Sequence, residues 1–203
     1  MDGQASAVIF DLEYTAWLGS RERRWSDPGE HREVIQIGAL KIRAGDGDLL
    51  DRFERLVIPR INGALSDYIM ALTGIAQHRL DREGVDFEAA YADFLAFKGD
   101  APLFCFGFDE VVIEETIGLY GLDARFKAEP TTNLHAFFRA HDVPLDRVTS
   151  GSLIDHFGLP PILAGQTHDA VYDCASILAA ARHLMDEGAA SPFLSPNPTF
   201  GPD

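Results

Sequence analysis

Residues Ala7 to Glu13 read AVIFDLE, an apolar, β-branched run that ends in two carboxylates one residue apart. Such a run predicts a buried strand. In a strand, positions i and i+2 point the same way, about 7 Å apart, so Asp11 and Glu13 share a face while Leu12 turns into the core. Two carboxylates beside an apolar run repel each other and lose hydration. Either they stay solvated at the strand's end or a divalent cation compensates them. The pair alone does not decide.

The rest of the chain predicts what this strand joins. Thr15 to Arg32 holds clustered charges, Gly and Pro and reads as a surface loop. Glu33 to Ile42 (EVIQIGALKI) is a second strand, Gly45-Asp46-Gly47 a tight turn, and Leu49 to Ile58 a third strand, giving a meander. After Pro59 the period changes. Ser66 caps a short helix, Asp67 to Leu72, that stops at Gly74, and Asp86 to Phe97 places Phe87, Ala90, Tyr91, Phe94 and Phe97 on one helical face. Pro102 to Phe106 is a short buried strand. Helices follow from about Glu110 to Tyr120, over Leu134 to Ala140 and over Ser152 to Phe157. The last, Thr167 to Glu187, is capped by Thr167 and stopped at Gly188. This order predicts an α/β fold, a mixed sheet with helices on its faces.

With 203 residues, 46% of them hydrophobic and 24% charged, the chain predicts one domain over residues 1–188. The proline-rich tail, 189–203, is expected to be poorly ordered. No stretch approaches the roughly 18 apolar residues of a membrane span, and polar Met1 to Ser6 carries no secretory pattern. Cys105 and Cys174 sit in apolar segments and read as reduced core residues. The expectation is a cytoplasmic protein with no membrane partner. Lys and Arg total 17 against 32 Asp and Glu, a formal charge of −15, which disfavours gripping a long duplex by its phosphates. Acting on a chain end needs fewer such contacts, and bound divalent ions would cancel part of the charge.

Two further segments carry chemistry. Asp109 follows the PLFCF strand and the link Gly107-Phe108, where an α/β sheet places functional groups, although Asp is also an ordinary helix cap. In HDAVYD, the Thr167 cap places His168 in the first helical turn and Asp173 about one and a half turns further on. The alternative is a surface histidine with acidic residues that favour the helix dipole.

Taken together, the strand-borne Asp11 and Glu13, Asp109 after a later strand, and the H-x-x-x-x-D of His168 and Asp173 resemble the DEDDh 3′-to-5′ exonucleases. FDLEYT, EVIQIGALKI, LSDYIMALTGI and HDAVYDC occur in that family's order, and the likeness runs from about Ala7 to Leu184. Pro59 to Phe97 most resembles the Eri-type, histone-mRNA-exonuclease-like branch. Trp17 to Arg32 is longer and more charged than the family pattern, and Glu114 and Glu115 compete with Asp109 for the second motif.

The resemblance implies a ribonuclease H-like fold, a central mixed five-stranded sheet flanked by α-helices. It implies two Mg²⁺ or Mn²⁺ ions about 3.5–4 Å apart, held by Asp11, Glu13, Asp109 and Asp173 through oxygen. His168 would be the general base on the attacking water, and single-stranded RNA or DNA 3′ ends, or short oligonucleotides, would be the substrate. Asp169 takes a supporting role rather than a ligand's. Substrate contacts fall on Phe108, Leu72, Thr73, Tyr14 and Thr15. Phe108 would stack on the terminal base or lie in the core, and Leu72 would meet the nucleotide or pack behind Gly74. Tyr14 and Thr15 would offer backbone amides to the 3′-hydroxyl. Trp17 and Trp25 either stack on bases or cover the core. Arg21, Arg23 and Arg24, the one compact basic cluster, are predicted to contact the substrate backbone. From a different class comes a catalytically silent binding module on the same fold, which metal binding would discriminate.

Overall fold

The computed structural model describes residues 5–194. Its sheet has five strands, in the order β3-β2-β1-β4-β5. The expected buried strand, β1 (Ser6–Tyr14), lies in the middle. It pairs antiparallel with β2 (Val34–Arg43), setting Asp11 opposite Gly38 and Glu13 opposite Gln36. On its other side it pairs parallel with β4 (Leu103–Cys105). The edges are β3 (Leu49–Leu56), antiparallel to β2, and β5 (Thr131–Asn133), parallel to β4. The sheet is therefore mixed and five-stranded, as expected.

The period-2 alternation of β1 divides the core into two layers. Ala7 and Ile9, with Leu40 and Ile42 opposite, pack under the long helix α8 (Ala170–Asp186). Val8, Phe10 and Leu12 face the other way, against α4 (Phe87–Lys98) and α5 (Asp109–Leu119). Asp11 and Glu13 continue the Ala7–Ile9 face. They therefore emerge beneath the start of α8, where the apolar layer runs out.

Several elements follow the local signals. Ser66 caps α2 (Asp67–Thr73) by accepting from the Ile69 amide at 3.1 Å, and Gly74 ends that helix at φ +73°. Others depart from expectation. The charged loop folds a short helix, α1 (Ser20–Arg23), and α3 (Gln77–Glu83) precedes α4. Two short helices, α6 (His135–Ala140) and α7 (Leu153–Phe157), occupy the expected places, the latter preceded by a 3₁₀ turn at Ser150–Ser152.

The clearest correction is at α8, which starts three residues beyond the expected Thr167 cap. Asp169 is the cap, its side chain accepting from the Val171 and Tyr172 amides at 3.0 and 3.1 Å. His168 therefore lies before the helix rather than in its first turn, in left-handed backbone at φ 68°.

Both cysteines are free and buried. Beyond Gly188 the chain keeps packing: Phe193 is buried and meets Phe104 edge-on at 5.4 Å. The remainder of the predicted tail, 195–203, lies outside the described residues. No helix among the described residues is long and apolar enough to cross a membrane.

Candidate active site

Three elements bring four carboxylates together. β1 supplies Asp11 and Glu13, the first residue of α5 supplies Asp109, and the first turn of α8 supplies Asp173. All four are buried, Asp173 with only 2% of its surface exposed. Two glycines make this approach possible. A Cβ on Gly38 would lie 2.5 Å from backbone atoms of Ala170 and Val171, so the bare strand lets α8 descend onto β2. The Gln36 side chain then accepts from the Ala170 amide at 3.1 Å, fixing the helix start. A Cβ on Gly151 would lie 2.2 Å from Asp173 Oδ1, so that turn too must be bare.

The Asp173 carboxylate is aimed from both sides. Ser150 Oγ donates to its Oδ2 at 2.9 Å, and the His168 amide donates to its Oδ1 at 3.2 Å. The Ser150 hydroxyl also lowers the proton affinity of Asp11, against the burial and repulsion that raise it. Glu13, His168 and Asp173 offer ligand atoms within 4.8 Å of one another.

The electrostatics are unfavourable without a cation. Burial, followed by repulsion from neighbouring carboxylates, pushes Asp11 and Glu13 well above the usual carboxylate range. Burial also raises Asp109 to about 7, with Glu110 adding to it, and raises Asp173 to about 7 against the opposing Ser150 hydrogen bond. No Lys or Arg forms an ion pair with any of the four among the described residues. A cluster of hard oxygen donors with no cationic partner fits divalent metal ions. His168 is held below its ordinary value, first by burial and then by the charge of Arg21.

These groups line a cleft of about 530 Å³, together with Tyr14, Leu72, Phe108, Tyr68, His135 and Ser150. Phe108 is 67% exposed, which removes the core alternative for that side chain. Its ring meets His135 edge-on at 6.2 Å, and His135 in turn meets Phe106 at 4.5 Å. Trp17 lines the cleft. Trp25 does so as well, and it also donates from its indole to Thr15 O at 3.0 Å, bracing the loop.

Two expected substrate contacts are corrected. Thr15 is buried, its hydroxyl donating to His31 O and its amide to Glu33 O, so neither group is free for a 3′-hydroxyl. Thr73 is buried too, with its hydroxyl turned back onto Ile69 O at 2.8 Å. Glu115, a competitor for the second motif, pairs with Arg32 outside the cleft. Asp169 caps α8 through one carboxylate oxygen. Ser150 and His135 were missed, since a serine in a turn and a histidine starting a short helix carry no pattern of their own.

Residues 8–104 match the family model described as exonuclease (RNase_T), a little under half the chain. A human protein, ERI1 exoribonuclease 2, is 29% identical over 90 residues, a match that covers 43% of this chain and 12% of that protein. Over this first half the chain is thus similar to the exonuclease family and to its Eri-type exoribonucleases, and it spans only a small part of the length of the relative it matches.

Solved structures extend the likeness in fold beyond the matched segment. The nuclease domain of 3′hExo, a DEDDh family member bound to rAMP, superposes with a TM-score of 0.72 at 22% identity, covering 91% of this chain and 94% of that one. A 3′-exonuclease solved for its 3′-end-specific recognition of the histone mRNA stem-loop gives 0.73 at 21% identity, covering 91% and 83%. The fold of this chain is thus ribonuclease H-like.

Proposed function

We propose that the chain is a metal-dependent 3′-to-5′ exonuclease that hydrolyses the last phosphodiester of single-stranded RNA or DNA and releases nucleoside 5′-monophosphates. The observation that carries this reading is the meeting of four buried, cation-free carboxylates and one histidine in an open cleft. Asp11, Glu13, Asp109 and Asp173 would hold two Mg²⁺ or Mn²⁺ ions, which when bound would neutralise the approaching phosphate and acidify a water. His168, kept neutral near pH 7 by its depressed proton affinity, takes the proton from the attacking water. The water oxygen bonds to phosphorus, the bond to the penultimate nucleotide's 3′-oxygen breaks, and that oxygen leaves with the shortened strand. Phe108 offers an exposed ring for the terminal base, worth about 1–3 kcal/mol by stacking and indifferent to sequence. Leu72 and Tyr14 border the same space. The ligands named for the structural relatives, an RNA stem-loop and rAMP, are consistent with a nucleic-acid substrate.

The test uses 5′-labelled single-stranded RNA and DNA of matched sequence, with Mg²⁺, Mn²⁺ or EDTA. Products should shorten from the 3′ end only with metal, and His168→Ala should slow them by about 10²–10⁴-fold. A folded protein that leaves both strands intact with either metal would defeat the proposal. The charge of −15 favours short oligonucleotides over long strands, so di- to hexanucleotides belong in the same assay.

A further inference from the structure

The one compact basic cluster of the sequence is divided by the fold. Arg23 is an internal strut, paired with Asp27 at 2.7 Å and with Glu30, and donating to Leu18 O at 2.8 Å. Arg24 ends α1 and borders a shallow depression on the outer side of the loop, beside Glu30 and Glu115. Arg21 alone of the three lines the cleft, with Asp11, Glu13, His168 and Asp173.

Arg21 differs from the other cation that lines this space. Arg32 pairs with Glu115 and lies over the Trp25 ring at 5.1 Å. Arg21 is exposed and makes no ion pair or side-chain hydrogen bond among the described residues, in a chain with nearly twice as many acidic as basic groups. Its backbone is nevertheless held. Ser20 Oγ accepts from the Trp17 amide at 2.8 Å and donates to Glu30 at 3.2 Å, and Thr15 and Trp25 tie the two ends of the loop together. The charged insertion is therefore a braced wall that presents one uncommitted guanidinium to the site. Arg21 and His168 line the same cleft. A guanidinium matches a phosphate through two parallel hydrogen bonds, and the four carboxylates cannot bind the same anion.

We propose that Arg21 is the phosphate-binding side chain of the cleft, gripping non-bridging oxygens of a nucleotide phosphate on the His168 side. This rests on the nuclease reading and names the residue that recognises the substrate's charge.

The test compares binding of AMP and of adenosine, with Mg²⁺, to wild type, Arg21→Ala, Arg21→Lys and Arg24→Ala. Wild type should prefer AMP. Arg21→Ala should lose about 10-fold or more of its AMP affinity, as expected for a hydrogen bond to a charged group, with adenosine binding and melting temperature unchanged. The salt dependence of binding to a single-stranded oligonucleotide should fall by about 0.7 in log–log slope for Arg21→Ala, while Arg21→Lys should retain it. Arg24→Ala should match wild type throughout. An Arg21→Ala protein that keeps the full AMP preference overturns the assignment and leaves the nuclease reading standing. A wild type that binds neither ligand and cuts no strand overturns both.

Discussion

Ser150 shows how much of the site rests on a residue with no motif of its own. Its hydroxyl donates to Asp173 Oδ2 at 2.9 Å, so it helps set the angle at which α8 presents its carboxylate to β1. Partners of this kind typically change metal affinity by about 10–100-fold when removed. Ser150→Ala should therefore weaken Mg²⁺ or Mn²⁺ binding by about that factor in calorimetry, with the circular dichroism spectrum unchanged. Equal affinities would show that the carboxylates orient themselves. At this scale the sequence was informative where chemistry demands a residue type. Asp11, Glu13, Asp109, His168 and Asp173 each have an ordinary alternative alone and stood out only together, through their resemblance to the DEDDh pattern. Ser150 did not, because turns commonly hold a serine.

Among the elements, α8 matters most, and its placement depends on the strand beneath it. Gly38→Ala would drive a methyl group into the backbone at Ala170–Val171, where no flexible side chain can yield. Overpacking of this kind costs about 1–3 kcal/mol, and the helix start must also move away from Asp11 and Glu13. Urea unfolding should register the loss, and metal affinity should fall with it; a variant of unchanged stability would mean that the helix is free to slide. This dependence also explains what could be read locally. β1, α2 and α4 followed from apolar period and caps within their own segments. The start of α8 did not, because Gln36 and Gly38, more than 130 positions earlier, settle it. β5 escaped for a related reason: TTN is short, polar and half-buried, and is a strand only because β4 lies beside it.

For the molecule as a whole, the carboxylate cluster opposes folding near neutral pH. Asp109 and Asp173 have folded values near 7, well above their unfolded values of about 4. For a raised acid, stability is fully present below the unfolded value and is lost as pH rises through the folded one. In EDTA the protein should therefore gain on the order of 1–3 kcal/mol on going from pH 7.5 to 5.5, measured by urea unfolding. Saturating Mg²⁺ should shrink that gain by stabilising the pH 7.5 state, by about 2.7 kcal/mol at a hundred times its dissociation constant. Asp109→Asn should reduce the pH dependence in EDTA. A flat profile in wild type would mean that the four groups do not share the repulsion their burial implies.

The order in which the parts leave the ribosome gives this arrangement a further consequence. Asp11 and Glu13 are synthesised before the rest of the sheet, and Asp173 only after its last strand. At roughly 5–20 residues per second, the nascent polypeptide spends about 2–8 seconds with its sheet made and its last helix still missing. During that interval it lacks one of its four acidic groups and the histidine that would act on water, while the message being translated lies close by. On the proposed nuclease reading, the site is thus incomplete, and its template spared, until α8 has been made.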